Sequence, residues 1–531
     1  MEFLQHITLE TSGIGSSLTR DYLALKPELK KFYSFDSSVD GLRSAAEKRM
    51  SQPVNRQLLY DELHKQYSSS TLSEVLKSNI ELLLQPNTFT VTTGHQLNLF
   101  TGPLYFIYKI ASVIKLAEQL KEEIAGKHFI PVYWMNSEDH DFAEINHFFL
   151  NSEKYEWKVS LDKYGPVGRM QLEGIETLMS EIKDKWGDHY KHDPLFNQII
   201  GSYLDSKDLA QAHRSIVNKL FGEYGVVILD QDSKALKAEF SKNISDEIFQ
   251  SSSVAQVQES NNELEALGYK AQVFVREINY FYTGKGYRER IIESDNGFAL
   301  ADSTFKWTKA ELEKELNDYP EFFSPNVVTR PMYQEFSLPN IAYIGGPAEI
   351  AYWLQYKRNF DSKNIFFPAL ILRDCFLILP EKIYRRSKEL GLKLEQYFSN
   401  LDDLINQFIS ENYHDEMNIE PIVDVLDQQY EHLLKQVLAI DPAMDNMVKA
   451  GHQKSKNELE RIASKMNKAL KKKSEHQIKI VKNLHSTIFP LNTLQERLNN
   501  LFDLTQSPSV FIKSILEHAN PLDARLKVLL D

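Results

Sequence analysis

The chain has 531 residues, of which 42% are hydrophobic, and it carries a formal net charge of −13 at pH 7. This length exceeds the size at which one hydrophobic core keeps growing, so we expect more than one structural unit. The acidic balance argues against a general affinity for nucleic acid or anionic membranes, and it leaves small-molecule chemistry as the leading class of function.

The sequence also indicates where the protein works. No apolar run approaches the roughly 18 to 20 residues of a membrane span, so no membrane partner is expected. The first residues lack the basic and apolar regions of a secretory signal, which makes the cytoplasm the expected location. Cys375 is the single cysteine of the chain, so disulfides within the chain are impossible.

Short β-rich apolar runs alternate with longer helical patterns between about residue 85 and residue 380. This rhythm is typical of an α/β fold with a mostly parallel sheet, and we predict such a core over residues 1–380. The predicted strands are TFTVTT (88–93), HFIPVYWM (128–135), YGVVILD (224–230), AQVFVRE (271–277), NIAYIGG (340–346) and IFFPALIL (365–372).

The strand pattern stops after about residue 381, and long helical patterns follow. Four apolar residues near the middle of the longest pattern follow a 3-4-3 spacing: Leu459, Ile462, Met466 and Ala469. This spacing predicts a short antiparallel coiled coil whose partner is either the preceding helix or a second subunit. We therefore predict an α-helical coiled-coil domain over residues 381–490. Pro490 ends the helix, and residues 491–531 are predicted to return to the core.

The segment TVTTGHQLNLFTGPLYFIYKI (90–110) joins a predicted strand to a predicted helix. Together with the next strand it forms a predicted βαβ unit, so the residues between strand and helix lie at the carboxyl end of the strand. In open α/β sheets this edge holds ligands, and the free N–H groups of the following helix favour anions. The predicted contacts of this phosphate or carboxylate site are Thr93, Gly94, His95, Gln96 and Asn98.

The second strand runs directly into NSEDHDFAEINH (136–147), which brings further polar residues to the same edge. A histidine beside carboxylates can transfer protons near neutral pH, so Asp139 and His140 are the catalytic candidates. Glu138 and Asp141 are candidates for substrate binding. The structural alternative is that Asp139 and Asp141 cap the following helix and that His140 is a surface residue. Metal ligation by His140 and His147 is a weaker alternative, and no metal site is predicted, because the H-E-x-x-H pattern and cysteine ligands are absent.

A third junction, NIAYIGGPAEIAYWLQYK (340–357), repeats the order of strand, glycine-proline and helix. Its candidate substrate or nucleotide contacts are Gly345, Gly346, Glu349 and Tyr352, although the glycines would serve a tight turn equally well. Neither G-x-x-x-x-G-K-[ST] nor G-x-G-x-x-G occurs in the sequence. Arg330 and Arg373 are the candidate cations for phosphate, and a structural ion pair is the alternative for each.

Four ordered blocks span nearly the whole chain: VTTGHQLNLFTGPLYFIYK, PVYWMNSEDHDFAEINH, FSPNVVTRPMYQEFSLPNIAYIGGPAEIAYW and LQERLNN. Together they resemble the bacillithiol biosynthesis cysteine-adding enzyme family. The resemblance implies a Rossmann-like core related to class I nucleotidyl transferases, with inserted connecting segments, and a helical coiled-coil domain through which two subunits form a homodimer. It also implies a cysteine ligase that joins the carboxyl group of cysteine to the amine of glucosaminyl malate.

One departure from the family pattern concerns His95. Many members carry glutamine at this position, which gives T-G-Q-Q in place of TGHQ. A position that accepts glutamine is a poor place for an essential proton carrier. We therefore assign His95 a hydrogen-bonding contact, and Asp139 and His140 become the better catalytic candidates.

The implied reaction requires activation, because an amide does not form at useful equilibrium from a free carboxylate and an amine in water. ATP is the simplest activator, Mg²⁺ can accompany it, and no tightly bound cofactor is expected. Attack on the α-phosphate gives a cysteinyl adenylate, whereas attack on the γ-phosphate gives an acyl phosphate, and the sequence leaves both routes open. Lys109 and Arg330 are the candidate cations for the malyl carboxylates.

Two functions from other classes remain as alternatives. A nucleotidyl transferase that acts on another small carboxylic acid would share the core and the polar sheet edge. A non-catalytic dimeric scaffold would explain the helical domain, but it leaves the polar residues at the sheet edge without a purpose.

Overall fold

The computed structural model describes residues 1–159, 165–284, 286–414, 418–505 and 507–531. The chain divides into two units: unit 1 contains residues 1–378 and 493–529, and unit 2 contains residues 379–492 and 530–531. Among the described residues, no helix is both long and apolar enough to cross a bilayer.

Strands and helices alternate through most of unit 1, whereas unit 2 is built mainly of helices. The strands are β1 Glu2–Ile7, β2 Thr88–His95, β3 His128–Met135, β4 His147–Leu150, β5 Glu153–Glu156, β6 Val227–Asp230, β7 Tyr280–Gly284, β8 Tyr287–Ser294, β9 Gly297–Leu300, β10 Lys306–Trp307, β11 Phe323–Pro325, β12 Asn340–Gly345, β13 Ala369–Leu372, β14 Cys375–Leu379 and β15 Leu526–Leu530. The α-helices of unit 1 are Leu9–Ser12, Ser17–Leu23, Val39–Met50, Arg56–Gln66, Glu74–Leu82, Tyr105–Glu123, Phe142–Ile145, Ile175–Trp186, Pro194–Asp205, Leu209–Phe221, Lys234–Glu239, Ser241–Gln250, Val254–Ala266, Lys309–Asp318, Arg330–Ser337, Pro347–Leu354, Lys357–Ser362, Gln495–Leu498 and Pro508–His518.

A five-stranded sheet in the order β13-β12-β2-β3-β6 forms the centre of unit 1, and its pairings are parallel. Every residue of β2 is buried, because helices cover both faces of a parallel sheet. The hydroxyls of Thr90 and Thr92 donate to the Oδ1 atom of Asn340 on β12, at 3.1 and 2.9 Å, so these two buried hydroxyls are paired inside the sheet. The predicted α/β core with a parallel sheet is confirmed.

The predicted βαβ unit is confirmed as β2, helix Tyr105–Glu123 and β3. The chain leaves β2 toward β3 on one side, whereas β12 and β13 extend the sheet on the other side. The strand order therefore reverses between β2 and β12. In open α/β sheets, ligands bind in the crevice beyond the carboxyl ends of the strands at such a point.

The predicted strand AQVFVRE (271–277) is wrong, since β7 begins only at Tyr280. The backbone N–H groups of Gln272 and Val273 donate to the side-chain oxygen of Gln355, at 2.9 and 3.1 Å, instead of pairing with a neighbouring strand. β7 begins a second, antiparallel sheet in the order β10-β9-β8-β7-β11, which the sequence patterns do not predict. This antiparallel sheet lies between β6 and β12 in chain order.

Unit 2 contains the helices Glu381–Lys388, Leu401–Asn412, Glu420–Ile440, Asp445–Lys473 and Glu475–Ile488. The third and fourth pack side by side: the Tyr430 hydroxyl lies 2.9 Å from Ser455 Oγ, and Asp427 pairs with His452 at 2.6 Å. Neither helix has a well-covered face, because the third has no buried residue and the fourth has only Val448.

The four apolar residues of the predicted coiled coil differ in their exposure to solvent. Leu459 and Met466 are half-buried, whereas Ile462 and Ala469 are exposed. The long helix expected from the sequence is interrupted at Ser474, between Asp445–Lys473 and Glu475–Ile488.

Candidate active site

A cavity of about 790 Å³ opens at the carboxyl ends of β2, β3 and β12, within the size range of small-molecule sites. It lies at the point where the strand order reverses. Many of the residues predicted from the sequence come together here. Those that line the cavity are Gly94, His95, Gln96, Lys109, Asp139, His140, Arg330, Gly346, Glu349, Tyr352 and Arg373.

Thr93, Asn98 and Gly345 do not line the cavity. The hydroxyl of Thr93 donates to the carbonyl of Ile344, at 2.8 Å, and so holds β2 to β12. Gly345 is the last residue of β12. Asn98 packs against Gly102, where a Cβ would lie only 2.6 Å from the Cβ of Asn98, so the close approach requires glycine. These three residues therefore lie at the sheet edge but outside the cavity lining.

Glu138 and Asp141 also lie outside the cavity lining. The carboxylate of Glu138 is completely buried against the ammonium of Lys237, and burial raises the pKa of Glu138 to about 7, although Lys237 opposes the shift. Asp141 is exposed and accepts a hydrogen bond from the backbone of Glu144, at 3.3 Å. It caps helix Phe142–Ile145, as the structural alternative for Asp141 proposed.

Asp139 is a half-buried carboxylate that faces several donors. It accepts hydrogen bonds from the backbone N–H of His140 and from the amide of Gln96, both at 2.7 Å. Burial alone would raise its pKa, but contacts with His140, the charge on Arg288 and the Gln96 amide outweigh burial and hold the pKa well below its usual range. Asp139 is therefore an anion at neutral pH. It is suited to accept hydrogen bonds from an ammonium group.

His95 is buried and neutral. Burial, followed by the nearby charge of Lys109, lowers its pKa to about 3. Its Nδ1 atom lies 2.9 Å from the carbonyl oxygen of Gln96, so Nδ1 must donate and Nε2 carries a lone pair. Such a ring accepts a hydrogen bond from a ligand but holds a proton poorly at neutral pH. The geometry is consistent with a contact role.

Buried Lys109 and half-buried Glu349 form an ion pair with 2.5 Å between Nζ and Oε2. Glu349 also accepts from the hydroxyl of Tyr343 at 2.6 Å and from the backbone N–H of Gly346 at 2.8 Å. Burial alone would raise the pKa of Glu349, but these partners, with Lys109 the strongest, lower it to about 2. Lys109 also donates to the carbonyl of Gly94 at 2.9 Å. Its charge is therefore largely neutralised within the protein.

Arg373 is committed to a second ion pair, which is buried. Its two terminal nitrogens lie 2.8 and 2.5 Å from the carboxylate oxygens of Glu496, and both side chains are 2% exposed. The structural ion pair was the alternative reading for Arg373. Its Nε atom is buried without a hydrogen-bond partner, and a Cβ at Gly346 would lie 3.9 Å from it. One donor of Arg373 thus remains at the cavity wall.

One N–H group at the start of each of the two helices already has a partner within the protein. Leu104, just before helix Tyr105–Glu123, donates its N–H to the carbonyl of Asn499 at 2.9 Å. At the other helix, the N–H of Gly346 already donates to Glu349. The protein itself occupies these two donors, and side-chain guanidinium groups contribute to the positive character of the cavity.

Six arginines line the cavity, and they give it a positive balance although the whole chain is acidic. Five of them form no ion pair with a carboxylate within the described residues: Arg276, Arg288, Arg290, Arg330 and Arg497. Arg330 donates to the side-chain oxygen of Gln334 at 3.1 Å, and a Cβ at Gly94 would lie 3.3 Å from its NH1 atom. Unpaired guanidinium groups at the edge of a parallel sheet are suited to bind carboxylates or phosphates.

Two protein-family models match this chain and together cover nearly all of it. Residues 1–374 match the family model described as "Bacillithiol biosynthesis BshC, N-terminal Rossmann-like domain", and residues 376–530 match "Bacillithiol biosynthesis BshC, C-terminal coiled-coil domain". The chain belongs to the BshC family. The family resemblance, the Rossmann-like core and the coiled-coil domain predicted from the sequence are thus confirmed.

Relatives in the BshC family match over almost their full lengths. A protein of Christiangramia forsetii is 37% identical over 528 residues, which cover 98% of each chain. One of Flavobacterium johnsoniae is 36% identical and covers 98% of this chain and 99% of its own. One of Bacillus anthracis is 27% identical and covers 96% of this chain and 97% of its own. All three are named as candidate cysteine ligase BshC.

Several cavity residues of this BshC family member were missed in the sequence. Arg288 and Arg290 alternate along β8 in YRERII, a spacing that places both on one face of a strand. That spacing was the available signal, but nothing in the sequence brings β8 to the edge of the parallel sheet. Glu496 and Arg497 lie in the block LQERLNN, which carried the family resemblance without a role for either residue.

Proposed function

We propose that this chain is a ligase that joins the carboxyl group of cysteine to the amine of glucosaminyl malate, with ATP as cosubstrate. The observation that carries the proposal is the arginine-lined cavity at the reversal point of the Rossmann-like sheet. Membership of the BshC family and the names of the relatives support the ligase class.

The charges of the substrates match the cavity. ATP and the malyl group are anionic, and five guanidinium groups of the cavity have no ion pair among the described residues: Arg276, Arg288, Arg290, Arg330 and Arg497. Of the two cations first considered for the malyl carboxylates, Arg330 is favoured, because Glu349 neutralises Lys109. Mg²⁺ would enter with the nucleotide phosphates, since no group of three or more histidines, cysteines or carboxylates in the described ranges could hold a metal ion.

Two chemical steps complete the reaction. A carboxylate oxygen of cysteine attacks phosphorus and releases either pyrophosphate from the α-phosphate or ADP from the γ-phosphate. The amine of the acceptor then attacks the activated carbonyl carbon, the amide bond forms, AMP or phosphate leaves, and the nitrogen gives up a proton. Ionised Asp139 would hold the acceptor's ammonium group until that group loses a proton to solvent and becomes the attacking amine, and the arginines would stabilise the charge of the phosphates.

The test is a reconstitution with purified protein, cysteine, glucosaminyl malate and Mg-ATP, in which mass spectrometry follows the thiol product and the nucleotide. Product with AMP indicates adenylation, and product with ADP indicates an acyl phosphate. A nucleotidylated acid without amide would favour a nucleotidyl transferase, and the lack of any turnover would favour a scaffold. Arg290→Ala should raise the KM for glucosaminyl malate. The matched control is Arg461→Ala, since Arg461 is exposed on a helix of unit 2.

We also propose that the chain forms a homodimer through unit 2. Helix Glu420–Ile440 has no buried residue, and it exposes apolar side chains, among them Ile422 and Val425, each 56% exposed, and Ile440, 82% exposed. An apolar stripe of this kind is stabilised when another helix covers it, and twofold dimers are the commonest assemblies.

A further inference from the structure

The ring of His140 lies between two groups that require opposite states of the same nitrogen. Its Nδ1 atom is 2.9 Å from the NH1 atom of Arg288 and 3.6 Å from the Oδ1 atom of Asp139. Arginine has no acceptor atom, so the short contact requires a lone pair on Nδ1. A hydrogen bond to Asp139 would require a proton on Nδ1, and 3.6 Å is too long for one. The distances favour a neutral ring that carries its proton on Nε2.

Arg288 is held firmly enough to impose this choice. Its Nε atom donates to the hydroxyl of Ser324 at 3.0 Å, and its NH2 atom donates to the carbonyl of Pro325 at 2.8 Å. The guanidinium carbon lies 3.9 Å from the centre of the Phe281 ring. The three contacts come from β7 and β11, so the antiparallel sheet fixes the direction of the guanidinium. A flipped His140 ring would place a C–H group against the Arg288 donor and lose the hydrogen bond.

We propose that Arg288 is a positioning residue that keeps His140 as a hydrogen-bond donor through Nε2–H. His140 lines the cavity, and its Nε2 atom has no partner within the described part of the chain. The matching ligand group is an oxygen that bears negative charge, such as a carboxylate or phosphate oxygen or the oxyanion of the amide-forming step. The identity of that oxygen rests on the proposed function, whereas the state of the ring does not.

The two histidines of the cavity then present opposite groups to a ligand. In His95, Nδ1 donates to a backbone carbonyl and Nε2 is an acceptor. In His140, Nδ1 accepts from Arg288 and Nε2 is a donor. His140 therefore acts by donation in this arrangement, and a role as general base would require Arg288 to release Nδ1 first.

The first test reads the ring directly. Wild-type protein with ¹³C/¹⁵N-labelled histidine is examined by magic-angle-spinning NMR near pH 7, and subtraction of the His140→Gln spectrum identifies the His140 signals. We expect an unprotonated Nδ1 in wild type and a substantial Nδ1–H population in Arg288→Met, because Asp139 becomes the remaining partner. Arg290→Met is the matched control: Arg290 lies on the same strand and lines the same cavity, and its loss should leave the ring state unchanged.

A wild-type ring protonated on Nδ1, or an Arg288→Met spectrum identical to wild type, would overturn the proposal. If Arg288→Met fails to fold, the wild-type spectrum still decides. The second test compares His140→Gln with His140→Ala. A glutamine amide can donate like Nε2–H, so kcat for cysteine ligation should be at least about tenfold higher in His140→Gln. Equal kcat values would refute the donor role. A wild-type protein without ligase turnover would remove the proposed function and leave the NMR test intact.

Discussion

The ion pair between Lys109 and Glu349 allows a quantitative prediction for Glu349→Gln. The substitution keeps the size of the side chain but removes the charge that receives Lys109 at 2.5 Å, the Tyr343 hydroxyl at 2.6 Å and the Gly346 N–H at 2.8 Å. Removing one member of a buried pair typically costs about 3 to 5 kcal/mol. A pKa of Glu349 lowered from 4.5 to about 2 corresponds to about 3 kcal/mol. Burial also lowers the pKa of Lys109, which offsets part of the gain, so we expect a loss of about 3 kcal/mol.

Tryptophan fluorescence during urea unfolding measures this loss in unit 1 alone. The chain has 5 tryptophans, and all of them lie in unit 1: Trp134, Trp157, Trp186, Trp307 and Trp353. Glu311→Gln is the matched control, because Glu311 occupies the same third position of a helix but is exposed, and Thr308 is its only hydrogen-bond partner among the described residues. The control should lose far less stability. Equal losses in the two variants would refute the importance of this ion pair.

The pH dependence of the same difference gives an independent check. The pKa of Glu349 is lower in the folded than in the unfolded chain, so its stabilisation is complete above about pH 5 and is lost as the pH falls toward 2. Glutamine does not titrate. The difference in unfolding free energy between wild type and Glu349→Gln should therefore shrink by about 1 kcal/mol between about pH 6 and pH 4. A difference that stays constant or grows on acidification would contradict this account.

Three further predictions concern activity and assembly. Asp139→Asn should lower kcat at least about a hundredfold in a folded protein, because the anion that holds the ammonium group is lost. Near-normal turnover would remove Asp139 from the catalytic candidates. His95→Gln should lower kcat/KM less than about tenfold, since an amide can replace a neutral imidazole contact, and abolished turnover would restore His95 as a proton carrier. Ile462→Asp combined with Met466→Asp should convert a dimer to a monomer in light scattering, while unit 1 still binds ATP. Ser464→Asp is the control. A wild-type protein that is monomeric at micromolar concentration would contradict the proposed dimer.

The parallel sheet was predictable because each of its strands is a short apolar run with its own boundary signals. Phe89 and Val91 alternate with threonines that pair inside the sheet, and glycines follow Ile344 at the end of β12. Such signals are local, so they can be read from neighbouring residues. AQVFVRE (271–277) is a similar short apolar run, but the side-chain oxygen of Gln355, far along the chain, accepts hydrogen bonds from the N–H groups of Gln272 and Val273.

The arrangement of charge in the cavity was less predictable, because it depends on residues far apart in the sequence. Arg373 was considered as a phosphate cation, but its partner Glu496 lies 123 residues later. Arg288 donates to His140, which lies 148 residues earlier in the chain. The strand that carries Arg288 belongs to a sheet that the sequence patterns do not predict. Spacing along the chain predicted which residues gather at the sheet edge. It could not predict which charges neutralise each other there.

The position of Glu496 also affects how the chain is made. Unit 2 is an insertion in the sequence of unit 1, so a ribosome completes residues 379–492 before it reaches Glu496 and Arg497. Until then Arg373 lacks the carboxylate that pairs with it in the finished protein. The helices of unit 2 are thus synthesised before the last residues that line the cavity. A translation product that stops after unit 2 would carry the helical domain together with an incomplete site.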